Sequence, residues 1–76
     1  LIHLDLDYIK IDGSIVKNIL TNDSSKIIAQ TIVEFAKKLN IKTVAEYVSS
    51  EEIYDAVKEI GVDYAQGYYV GKPIIL

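Results

Sequence analysis

Three short apolar runs punctuate the chain: Tyr8-Ile-Lys-Ile-Asp12, Thr43-Val-Ala-Glu46 and Asp63-Tyr-Ala-Gln-Gly-Tyr68. Each has the apolar, β-branched character of a buried strand, and each carries a charged or polar residue near its end. Between them lie segments with helical periodicity. The order β-α-β-α-β with short connections predicts parallel strands joined by right-handed crossovers. A strand among apolar neighbours gains no stability by finishing on a charge. Strands of a parallel α/β sheet do so where their C-terminal edge forms a site. Lys10, Asp12, Glu46 and Gln66 are therefore the first candidates for chemistry.

Residues 7–12 read as the first strand, broken by Gly13-Ser14. Ile15, Val16, Ile19 and Leu20 fit one or two helical turns, and Thr21-Asn-Asp-Ser24 is a loop rich in N-cap residues. From Ser25 to Leu39, the residues Ile28, Ile32, Phe35, Ala36 and Leu39 predict a helix with that face buried. Lys37 and Lys38 complement the negative end of its dipole, and Asn40 is a left-handed terminator. Lys42–Glu46 is the second strand. Ser49-x-x-Glu52 reads as a capping box opening a second long helix, with Ile53, Ala56, Val57 and Ile60 inward and Gly61 ending it. Val62–Ala65 is the third strand. Gly67, Gly71 and Pro73 punctuate the tail and predict a loop at Lys72-Pro73.

Half of the 76 residues are hydrophobic. A chain of about this size buries only ~60% of its unfolded surface. So much apolar surface in so short a chain, with no starting Met, predicts a fragment or a protomer that completes its core elsewhere. There is no Cys, which excludes disulfides and thiolate zinc sites, and His3 is the sole histidine. Any metal would be a hard cation held by oxygen. Net charge is −3, and all eight basic residues are scattered lysines. Bidentate guanidinium contacts are absent, so a nucleic-acid polymer is not the expected partner. No apolar run reaches the ~20 residues of a membrane span, and no signal-peptide pattern opens the chain. The expected setting is cytoplasmic.

Taken together and in register, Lys10-Ile-Asp12-Gly-Ser14, Val44-Ala-Glu46-Tyr-Val48 and Asp63-Tyr-Ala-Gln66-Gly-Tyr68, followed by Lys72-Pro73, resemble the C-terminal third of an EAL-type cyclic di-GMP phosphodiesterase domain. The resemblance implies an α/β fold, the C-terminal βαβαβ portion of a TIM-like (β/α)8 barrel. Residues 1–76 would be a fragment of one such domain, since a whole barrel needs ~250 residues. It further implies a bacterial signalling role, hydrolysis of cyclic di-GMP to linear pGpG, assisted by two Mg²⁺ or Mn²⁺ ions. Lys10 matches the family's active-site lysine, which orients water or offsets phosphate charge. Glu46 matches its essential glutamate, holding a metal or its water and acting as base. Gln66 matches a glutamine that bonds near that water. Asp12 belongs to the motif but is expected to bond backbone or loop groups.

Each residue also has an ordinary reading. Lys10 alone is a strand-edge lysine that snorkels to solvent, Glu46 a strand-end carboxylate, Gln66 a turn residue. Tyr64, Tyr68 and Tyr69 are better read as core and rim than as a stacking set. Ser14 reads as a helix cap, and Asp63 as a group that caps or pairs at its strand's start. The family's signature Glu-Ala-Leu strand and further carboxylates have no counterpart in the chain, so the fragment alone is expected to be inactive and metal-free. Tyr47 stands where the family has glycine, Ser49 where it has a second glutamate, and Ile15 where it has phenylalanine. These departures keep open a catalytically degenerate scaffold that binds nucleotide or a protein partner. An unrelated phosphate-binding fragment is a third reading. Unpaired edges on the first and third strands predict self-association, or association with the remainder of the barrel.

Overall fold

The computed structural model describes residues 3–4, 8–67 and 71–76, with side chains for 8–67, 75 and 76. Along the chain lie β1 (His3–Leu4), β2 (Tyr8–Ile11), α1 (Gly13–Val16), α2 (Asp23–Lys38), β3 (Lys42–Ala45), α3 (Glu51–Ile60), β4 (Tyr64–Gly67) and β5 (Gly71–Ile75). They form one five-stranded sheet in sequence order, with its three central strands parallel. Tyr8, Ile9, Lys10 and Ile11 face Lys42, Thr43, Val44 and Ala45 in register, and Val44 and Ala45 face Tyr64 and Ala65. This is the expected βαβαβ portion of a barrel.

The outer strands differ from expectation. β1 pairs antiparallel with β2, and β5 pairs antiparallel with β4, through a register shift between Ala65 and Gly67. The edges expected to be bare are thus occupied by this chain's own backbone. Lys72-Pro73 lies inside β5 rather than in a loop. Proline lacks only an N–H, and an edge strand has one side that needs none.

Helix termini follow local chemistry. α2 begins at Asp23, two residues before the predicted start, because Asn22 Oδ1 accepts the N–H groups of Ser24 (2.9 Å) and Ser25 (3.3 Å). It ends on left-handed Asn40 (φ +58°), with Ile41 N–H returning to Ala36 O at 2.9 Å. α3 is capped by Ser50, whose Oγ accepts from Ile53 N at 3.2 Å, and not by the Ser49 of the predicted capping box. Glu52 then stands one position too early to return a bond to the cap. Gly61 ends α3 at φ +104°, and Val62 N–H closes onto Val57 O at 3.1 Å. That bond draws Val62 into the helix cap, so the third strand starts at Tyr64 rather than Val62. Ser14 is not a cap: it lies within α1, whose first carbonyl acceptor is Asp12 O.

All three helices cover one face of the sheet. Ile9, Ile11, Thr43, Ala45 and Ala65 point into that layer and meet Val16, Ile19, Ile32, Val33, Val57 and their neighbours. α2 is turned relative to its predicted face. It buries Ala29, Ile32, Val33 and Ala36, leaving Ile28, Phe35 and Leu39 45–51% exposed. The two small alanines let the helix approach the sheet closely, and the bulky stripe is rotated to the flank. Thr43 is the one fully buried polar side chain among the described residues. Its Oγ1 accepts from Asp63 N (3.2 Å) and donates to Asp63 Oδ2 (3.3 Å), which also accepts from Thr43 N (2.9 Å). This reciprocal bracket ties the starts of β3 and β4 together, the pairing role read for Asp63.

Candidate active site

Side chains alternate across a strand, so register decides which residues share a face. The row Ile9–Thr43 and the row Ile11–Ala45–Ala65 lie under the helices. The row Lys10–Val44–Tyr64 therefore takes the opposite, helix-free face. One residue beyond Ile11, Ala45 and Ala65 come Asp12, Glu46 and Gln66, side by side at the C-terminal ends of the parallel strands. The four residues singled out by their strand-end positions thus fall on two successive rows of one face.

Lys10 and Gln66 line the same shallow cavity of about 310 Å³, together with Tyr8, Val44, Tyr64 and Ile75. Both side chains are exposed. Tyr8 and Tyr64 meet edge to face across β3, with ring centroids 5.8 Å apart at 66°. That contact makes Tyr64 a wall of the open face. Tyr68 and Tyr69, read with it as core and rim, lie outside the described residues. Glu46 is half-buried at the rim and is not among the residues lining the cavity. Its backbone is anchored, N–H to Ile11 O at 3.2 Å. Asp12 is turned toward its own loop: Ser14 Oγ donates to Asp12 Oδ2, and Asp12 O accepts from Ile15 and Val16. This matches the loop-bonding role expected of it.

Sequence reasoning missed Tyr8 as a lining residue. The signal was present, since Tyr8 and Lys10 are two apart on one strand and must share a face.

The chemistry available is that of an ammonium, a carboxylate and a neutral amide facing one open surface beside apolar walls. An ammonium offsets phosphate charge, and a carboxylate can accept a proton from water or ligate a hard cation. The residues present do not suffice for a divalent ion. Among the described residues no three His, Cys, Asp or Glu side chains converge so as to hold one. Of the carboxylates in the strand-end row, Asp12 is already engaged by Ser14, which leaves Glu46.

Residues 1–73 match the model of the EAL domain. The cyclic di-GMP phosphodiesterase PdeB of Shewanella oneidensis is 44% identical over 70 residues, covering 92% of this chain and 8% of that protein. Among solved structures, the EAL enzyme Bd1971 in its cAMP- and cyclic-di-GMP-bound form superposes with a TM-score of 0.85 at 29% identity, over 95% of this chain and 19% of the other. The manganese/cyclic-di-GMP complex of Klebsiella pneumoniae BlrP1 at pH 9.0 gives a TM-score of 0.84 at 26% identity, over 95% of this chain and 18% of the other.

Proposed function

The chain belongs to the EAL domain family, and on that premise we propose that residues 1–76 form the C-terminal part of a single EAL-type domain and bring Lys10, Glu46 and Gln66 to a cyclic di-GMP phosphodiesterase site. The observation that carries this reading is positional. Three parallel strands present these side chains on two adjacent rows of one helix-free face, at the strand end where α/β barrels place their chemistry.

In the proposed reaction, water attacks one phosphorus of the cyclic dinucleotide and one P–O ester bond breaks, giving linear pGpG. Lys10 offsets the charge that grows on the non-bridging phosphate oxygens. Glu46 takes the proton of the attacking water. Gln66 fixes that water or the phosphate by a neutral hydrogen bond. Toward a Mg²⁺ or Mn²⁺ ion this chain offers Glu46 as a single donor, fewer than such an ion needs, so the chain alone is inactive. The setting proposed is the cytoplasm, where a nucleotide messenger is made and consumed. No described helix is long and apolar enough to cross a membrane. The apolar flank of α2 at Ile28, Phe35 and Leu39 packs on the remainder of the domain, or on a second copy in its absence.

The test is a chimaera in which this chain replaces the matching segment of the Shewanella oneidensis relative, assayed for cyclic di-GMP hydrolysis with Mn²⁺. Turnover is expected, falling at least ~100-fold in Glu46→Gln without a change in melting temperature. A folded chimaera that neither binds nor hydrolyses the dinucleotide refutes the reading. Binding without hydrolysis selects the degenerate-scaffold alternative.

A further inference from the structure

The segment that follows β3 joins the ends of all three parallel strands. Glu46 N–H bonds Ile11 O of β2 at 3.2 Å, and Val48 N–H bonds Gln66 O of β4 at 2.9 Å. In a regular strand, residues two apart present their N–H groups to the same neighbour. Here they reach opposite neighbours, because Tyr47 between them adopts φ +60°. A bulky side chain rarely takes that left-handed conformation, since its Cβ crowds the following carbonyl.

A glycine on either side makes room for this turn. A Cβ on Gly13 would lie 2.7 Å from Cε2 and 2.8 Å from Cγ of Tyr47, and closer still to Cδ2. A Cβ on Gly67, at φ +145°, would lie 2.8 Å from Val48 O and 2.9 Å from the Tyr47 carbonyl carbon. Gly13 is buried, while Tyr47 is 61% exposed, so one ring face covers the β2–α1 turn and the other meets solvent. Glycine would adopt the Tyr47 backbone at no steric cost. The ring contact is what the aromatic side chain adds.

We propose that Tyr47 is a positioning residue. Its ring clamps the turn bearing Asp12 and Ser14 against the end of β3, and its left-handed backbone holds Glu46 in the strand-end row beside Gln66. The catalytic consequence rests on the active-site reading of Glu46; the clamp itself does not.

A double-mutant cycle on the full chain tests the clamp by thermal unfolding. Gly13→Ala alone must displace the ring and is expected to lower Tm by about 10 °C. In a Tyr47→Gly background the same change meets no ring and lowers Tm by no more than about 3 °C. Equal losses in both backgrounds overturn the contact. Should Gly13→Ala fail to fold, amide hydrogen exchange at Glu46 and Val48 decides. Tyr47→Phe keeps wild-type protection, and Tyr47→Ala speeds exchange at both amides about tenfold. Unchanged exchange in Tyr47→Ala refutes the clamp. In the chimaera, Tyr47→Ala is expected to lower kcat about tenfold with KM within about twofold, and Tyr47→Phe restores it. An unchanged kcat in Tyr47→Ala refutes positioning. A parent chimaera without turnover instead refutes the active-site reading, and the thermal cycle and exchange still judge the clamp.

Discussion

Asp63→Ala should destabilise the chain more than its half-exposed position suggests. The carboxylate accepts Thr43 N–H at 2.9 Å and Thr43 Oγ1 at 3.3 Å, and Thr43 is only 1% exposed. Truncation leaves a buried N–H at the start of β3 with no acceptor, and a buried hydroxyl without the acceptor for its proton. A bond to a charged acceptor contributes about 1.5–3 kcal/mol, and a stranded buried donor costs about 1–3 kcal/mol. The 3.3 Å contact is long and adds little, and water reaches the Asp63 side. The expected loss is therefore about 2–3 kcal/mol, which for a domain of this size lowers Tm by roughly 8–24 °C. Asp63→Asn keeps an acceptor oxygen and should cost about 1 kcal/mol. Thr43→Val, which strands the Asp63 N–H, should cost about 1–2 kcal/mol. Because the side-chain bonds of each residue go to the other, the double mutant should lose less than the sum of the singles, by about 1 kcal/mol or more. Melting followed by circular dichroism measures all four. An Asp63→Ala variant within about 0.5 kcal/mol of wild type would falsify the bracket as a stabilising element.

Three further outcomes are expected. Ser50→Ala should cost about 1 kcal/mol by removing the α3 cap, and Ser49→Ala close to nothing; the reverse order in melting experiments would restore the capping box read from Ser49-x-x-Glu52. Lys10→Ala in the chimaera should lower kcat/KM about 100-fold at unchanged Tm, whereas a parallel fall in Tm would mark Lys10 as structural. The isolated chain should associate in light scattering, and Phe35→Glu should shift it toward monomer; a monodisperse wild-type monomer would show that the α2 flank is stable in water.

The parallel core of the fold was legible because each signal was local. Apolar runs of strand length, Asn40 and Gly61 at the helix ends, and period-2 alternation around Lys10 each act within a few residues. The same alternation made the shared face of Lys10, Glu46 and Gln66 readable once the strands were known to be in register. What failed depended on competition between elements. α2 carries two overlapping apolar stripes, through Ile28–Phe35–Leu39 and Ala29–Val33–Ala36, and only contact with the sheet decides that the smaller residues go inside. Two adjacent serines precede α3, and a shift of one residue decides which caps it. Pro73 reads as a loop residue until β4 presents an edge on which it can lie. The left-handed backbone at Tyr47 is not signalled by the residue type there, since the room for it comes from Gly13 at the start of α1 and Gly67 in β4.

The Thr43–Asp63 bracket and Glu46 stand at opposite ends of β3, three residues or roughly 10 Å apart. The side-chain tie between β3 and β4 sits at one end, and the proposed catalytic carboxylate at the other. Substitution of Glu46 itself, half-buried at the rim, can therefore silence the proposed chemistry while the sheet persists. A lineage could move from enzyme to binding protein through folded intermediates at every step, with nothing in its melting temperature to record the change.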